Sequence, residues 1–76
     1  PYQVVIAPAA RRQIKKAPKS AQSAIVARLE ALAAHPRPPG CKKLSGEENL
    51  YRVRTGDDRI VYQVQDAQLI VLWWSG

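Results

Sequence analysis

Apolar and other residues alternate over Leu50–Val64, which reads L-Y-R-V-R-T-G-D-D-R-I-V-Y-Q-V. Two alternating runs around Thr55-Gly56-Asp57-Asp58 predict a hairpin of two half-buried strands, with 55–58 as the loop. That loop sets Arg54 opposite Arg59, Val53 opposite Ile60 and Tyr51 opposite Tyr62. One face then carries Tyr51, Val53, Ile60, Tyr62 and Val64, a coherent core face, and the other carries Arg52, Arg54 and Arg59. A slip of one residue would turn one strand's apolar set outward, which favours this register over its neighbours. The register has an electrostatic cost. Like charges directly opposite destabilise a strand pair by up to ~1 kcal/mol. A sheet that gathers three arginines on one face points to a bound anion; the plainer alternative is a solvated face of an edge hairpin.

The flanking segments supply the other elements. Tyr2–Ala7 is a β-branched run ended by Pro8 and predicts a first strand. Pro8 suits the first position of a helix. Ala10, Ile14 and Ala17 then share an apolar face, while Arg11, Arg12, Lys15 and Lys16 make the wet one. Pro18 ends this helix. Ser20 is the expected N-cap of a second helix. Its apolar stripe is Ile25, Leu29 and Leu32, with Ala24, Ala31 and Ala33 allowing close packing, and His35-Pro36 stops it. Arg37–Gly46 reads as a loop with three positive charges, anchored by Leu44, and Glu47-Glu48-Asn49 leads into the hairpin. Asp66-Ala67 turns the chain into Leu69–Trp74, apolar throughout and so expected to be covered on both faces. Trp73 and Trp74 are adjacent and point to opposite faces of that strand, one to the core and one outward, where it could stack on a base or lie under a partner segment. The order β-α-α-β-β-β, helices before a three-stranded antiparallel meander, predicts an α+β fold.

Charge narrows the function. The 76 residues make one domain, and a chain of this size buries only about 60% of its unfolded surface. Twelve Lys and Arg against six Asp and Glu leave a net charge of +6, with a pI near 10.0. That is the footprint of a nucleic-acid binder, the plainer alternative being a merely soluble basic surface. The single cysteine, Cys41, forms no internal disulfide, and with the single histidine, His35, it offers no metal-ligand set. No metal or organic cofactor is expected. The longest apolar run is far short of a membrane span and no signal peptide is visible, so a cytoplasmic protein with no membrane partner is expected.

A basic loop with K-L-S-G at Lys43–Gly46, a Pro-terminated helical pair and the run L-Y-R-V-R-x-G-D-x-R-I-V-Y-x-V together resemble the RelE/ParE superfamily of bacterial toxins. Within it the chain looks more like RelE. The resemblance covers essentially the whole chain and is most specific over Tyr51–Tyr62, reinforced by the helix exit His35–Gly40. It implies a RelE-like α+β fold and the toxin of a toxin–antitoxin pair: a ribosome-dependent endoribonuclease that cleaves messenger RNA and so inhibits translation. Arg52 and Arg54 fall where the family places its paired basic residues, and Arg59 matches the arginine of the G-D-x-R motif. These three are the expected catalytic residues. Asp58 stands where the family often has Tyr, and a carboxylate there is expected to weaken anion binding. The family continues beyond its last strand with a Gly-His-Arg-like segment, a Tyr and often a helix. The expectation is therefore a single domain over residues 1–76 that lacks its C-terminal segment.

Arg37, Lys42 and Lys43 are candidate RNA-backbone contacts; for the two lysines, plain loop charges are an equal alternative. The expected partners are the ribosome with its message and a RelB-like antitoxin, acidic or amphipathic in part because this chain is +6. Two rival readings remain. One is a ParE-like toxin that inhibits DNA gyrase without catalysis; the other is an inactive basic fragment that binds RNA or a partner.

Overall fold

Tyr51, Val53, Ile60, Tyr62 and Val64 are all buried, as the alternation requires. The computed structural model describes residues 1–44, 46 and 48–76. Ser45 and Glu47, expected in the basic loop and in the lead to the hairpin, lie outside the described residues. The elements are β1 (Gln3–Ile6), α1 (Pro8–Lys15), α2 (Lys19–Ala34), β2 (Lys42–Lys43), β3 (Leu50–Thr55), β4 (Asp58–Gln65) and β5 (Gln68–Ser75). The α+β order holds with one addition, the two-residue β2 inside what reads as loop. The β3–β4 register is the expected one. Its turn is tighter than expected, because Thr55 pairs with Asp58 and leaves Gly56-Asp57 as the connection. Gly56, at φ 59°, takes the left-handed first position that a II′ hairpin turn demands.

The sheet runs β1-β5-β4-β3-β2, with β1 parallel to β5 and every other pair antiparallel. The helical pair crosses one face of it. Ala10 of α1 and Ile25, Leu29 and Leu32 of α2 close over Ile60, Tyr62, Leu69 and Val71. β5 is apolar because it lies inside the sheet, between β1 and β4, but it is covered on one face rather than two. Leu69 and Val71 are fully buried, Ile70 and Leu72 half-buried, and Trp73 is 48% exposed. Plain alternation from Leu69 and Val71 would bury Trp73. A bulge prevents this: Val61 pairs with Trp73 and Tyr62 with Val71, so Leu72 is the extra residue. The buried position passes to Trp74, 8% exposed, whose amide donates to Gln13 Oε1 at 2.9 Å.

The helix ends differ from expectation in detail. α2 begins one residue before Ser20, on Pro18, whose carbonyl accepts from the Gln22 amide at 3.0 Å. The Gln22 side chain then reaches back to the end of α1, donating to the carbonyls of Ile14 at 3.1 Å and Ala17 at 3.0 Å. These are orphan acceptors of a helix terminus. Ala33 is buried, but Ala24 and Ala31 are exposed. Leu44 is half-buried, tied to β3 through its amide, which donates to the Leu50 carbonyl at 2.8 Å.

An aromatic pin fixes the exit from α2. The Tyr51 and Tyr62 rings stack across strands at 5.8 Å between centroids. Tyr62 donates its hydroxyl proton to the Pro36 carbonyl at 2.7 Å. Arg37 Nε donates to the Tyr51 hydroxyl at 2.8 Å, with its guanidinium 5.2 Å from the Tyr51 ring centre. Burial raises the Tyr62 pKa well above the ordinary tyrosine value. The folded state therefore favours the neutral phenol, and the stability linked to it is whole below about pH 10 and lost as pH rises beyond that. Tyr62→Phe is expected to cost about 1 kcal/mol at pH 7 and to flatten the loss of stability above pH 10, as read by urea unfolding at a series of pH values. In the same assay Leu69→Ala is expected to cost about 2–5 kcal/mol, whereas Val26→Ala, at a site 53% exposed, should stay within about 0.5 kcal/mol.

Candidate nucleic-acid interface

The helices cover one face of the sheet, so the residues between the buried positions form an open face. On β3 these are Leu50, Arg52 and Arg54; on β4, Arg59, Val61 and Gln63; on β5, Ile70, Trp73 and Ser75. β2 adds Lys42, paired directly with Arg52. Two like-charge pairs thus stand side by side, Lys42 with Arg52 and Arg54 with Arg59. Among the described residues the one ion pair is Arg28 with Asp58, at 3.6 Å, so none of these four cations has a carboxylate partner. Each facing pair costs up to ~1 kcal/mol. An anion laid across them removes that repulsion.

Asp58 does not weaken this face. Its carboxylate sits on the helix side of β4, held by Arg28 of α2, because Asp58 and Arg59 are neighbours on a strand and take opposite sides. The expectation of a carboxylate beside the arginines is corrected accordingly.

The expected site residues divide into two groups. Arg52, Arg54, Arg59 and Lys42 come together on the open face. Lys43 pairs with Tyr51, a core-facing residue, and so alternates to the other side. Arg37 also lies on the helix side, bonded to Tyr51, a bond that raises its pKa still further above the usual arginine value. It borders a groove of about 570 Å³ between α2 and β3, lined also by Arg28, Leu32, His35, Val53 and Arg54. Arg54, on the edge, reaches both surfaces. The partnership of Lys42 with Arg52 has no signature in the sequence, since a two-residue strand is too short to show a period.

The chemistry of the open face is one-sided. Arginine forks match phosphate oxygens bidentately and remain charged at any physiological pH. The strands present no His, Tyr, Asp or Glu on that side among the described residues. The face can bind and stabilise an anion, and it carries no group suited to take a proton from one near neutrality. No three His, Cys, Asp or Glu side chains among the described residues group in a way that could hold a metal ion. No helix among them is long and apolar enough to cross a membrane.

Comparison with known proteins places the architecture. The toxin–antitoxin complex RelBE2 of Mycobacterium tuberculosis contains a similar chain, 26% identical, with 99% of this chain and 96% of that one aligned at a TM-score of 0.84. The archaeal RelE–RelB complex of Pyrococcus horikoshii gives 27% identity over 97% and 92%, with a TM-score of 0.83. The intact RelBE complex of Escherichia coli, at 22% identity over 99% and 95%, shares the fold at 0.84. No curated protein sequence matches. A family description, ParE toxin of type II toxin–antitoxin systems, matches residues 4–74. The chain therefore belongs to the RelE/ParE superfamily and, within it, to the ParE toxin family of type II toxin–antitoxin systems.

Proposed function

We propose that this toxin is a ribosome-dependent endoribonuclease that cleaves messenger RNA in the cytoplasm, and that an antitoxin with an acidic segment neutralises it. The observation that carries the reading is the cluster of four cations, Lys42, Arg52, Arg54 and Arg59, on the uncovered face of the sheet, without carboxylate partners among the described residues. Cleavage by 2′-hydroxyl attack forms a bond from that oxygen to phosphorus, breaks the bond to the 5′-oxygen, and concentrates negative charge on the phosphorane between. Arg52, Arg54 and Arg59 act on that charge. Preorganised donors at such a position each contribute roughly 10²–10³ in rate. The proton leaving the 2′-hydroxyl and the one reaching the 5′-oxygen need other groups, and arginine, with a pKa above ~12, supplies neither. In this reading the ribosome-bound message brings or orients them, which gives a chemical reason for dependence on the ribosome. Lys42 contributes charge along the RNA backbone; Arg37 and Lys43, on the far side of the sheet, contribute to the attraction between a +6 protein and an acidic partner.

The family match favours a second reading, a ParE-type toxin that binds DNA gyrase and blocks it without bond cleavage. Incubation with message-programmed ribosomes separates the two. Mapped message ends are expected in the decoding site, and Arg52→Ala and Arg59→Ala should each lower the cleavage rate roughly 10²–10³-fold. Gyrase inhibition by a protein that leaves the message intact would establish the second reading instead. Salt gives a further check. With three phosphates neutralised, affinity for single-stranded RNA should fall roughly 20-fold between 50 and 200 mM salt, and Arg52→Ala should flatten that slope.

A further inference from the structure

The open face carries one large side chain that neither the core nor the cation cluster accounts for. Trp73 is 48% exposed, while its neighbour Trp74 fills the core position. The bulge at Leu72 brings this about, turning outward an indole that plain alternation would bury. An indole half open to water is unfavourable unless something covers it.

Its neighbours say what that cover is. Trp73 pairs with Val61, Val61 with Arg52, and Arg52 with Lys42, so the four form one row across β5, β4, β3 and β2. The next row along the same face is Ser75, Arg59 and Arg54. At about 4.8 Å per strand, Arg52 lies two strands, or roughly 10 Å, from Trp73 at the backbone, and Arg59 lies closer to it along the diagonal. An arginine side chain is long enough to reach across much of that interval, and the half-buried Val61 lies between Arg52 and Trp73 in the row. Guanidinium groups at one end and a flat aromatic at the other match the two ends of a nucleotide, its phosphate and its base.

We infer that Trp73 is a base-stacking platform: a single-stranded RNA held through its phosphates by Arg52 and Arg59 lays one nucleobase on the exposed indole. This rests on the RNA reading above and adds a binding residue to it. Every base has a π-face, so such a platform adds affinity without choosing a sequence. Base selection then has to come from other contacts.

The test measures binding of two labelled probes by fluorescence anisotropy: a short single-stranded RNA, and the same ribose-phosphate strand with no bases. Wild-type protein is expected to bind the intact strand more tightly than the abasic one. Trp73→Ala should weaken intact RNA about 5- to 100-fold and leave the abasic strand unchanged, while Trp73→Phe, which keeps an aromatic face, should stay within about threefold of wild type. Binding of both strands by Trp73→Ala as in wild type overturns the inference, and so does equal weakening of both. If Arg52→Ala abolishes binding while Trp73→Ala has no effect, the RNA reading stands and the platform falls. If wild-type protein binds neither strand at low salt, the RNA reading itself falls. A Trp73→Ala protein that keeps full RNA affinity but loses an acidic antitoxin segment shows that the indole serves a protein partner instead.

Discussion

Everything in this chain depends on the helical pair covering one face of the sheet and leaving the other open. With so few residues the core has room for a single apolar layer between helices and strands. Ala10, Ile25, Leu29 and Leu32 supply one side of it, and Tyr51, Val53, Ile60, Tyr62, Val64, Leu69 and Val71 the other. Because strand side chains alternate, burying that set sends their neighbours out together. The position of Arg52, Arg54 and Arg59 is thus a by-product of core formation. The hairpin cannot shift to separate Arg54 from Arg59 without turning Val53 and Ile60 into solvent, and the hydrophobic penalty exceeds the repulsion of two exposed charges.

This is how a small basic protein can hold a charge cluster without a binding cavity. The face is open, its cations are close to solvent, and they have no carboxylate partners among the described residues. Asp58 lies next to Arg59 in sequence but across the sheet in space, where Arg28 holds it. Arginine suits such a face, since it stays charged and fits phosphate geometry. The same permanence keeps it from acting as a base. A sheet of this kind can hold an anion and offers no group of its own for proton transfer.

Much of this was legible in the residues. The alternation in Leu50–Val64 set the register to the residue, because a two-residue period with one buried face tolerates no slip. The two helices and their apolar stripe followed from proline punctuation and from the spacing of Ile25, Leu29 and Leu32. Local details were less legible. Ser20 looked like the N-cap of α2, yet Pro18 holds that position with no side-chain cap, and Gln22 instead caps the end of α1. Lys42 and Lys43 looked like loop residues, yet they pair with β3 and part to opposite sides. A strand of two residues has no period to detect.

Sequence by itself determined which residues share a face of the β3–β4 hairpin, since that depends on alternation and turn length alone, and it determined that three arginines fall together. Tertiary structure decided what lies beside them. The parallel partnership of β1 with β5 puts β5 inside the sheet. The bulge at Leu72 then selects Trp74 for the core and Trp73 for the open face. Adjacent tryptophans are equivalent to any one-dimensional pattern. Only pairing with a neighbouring strand, two residues against one, could tell them apart.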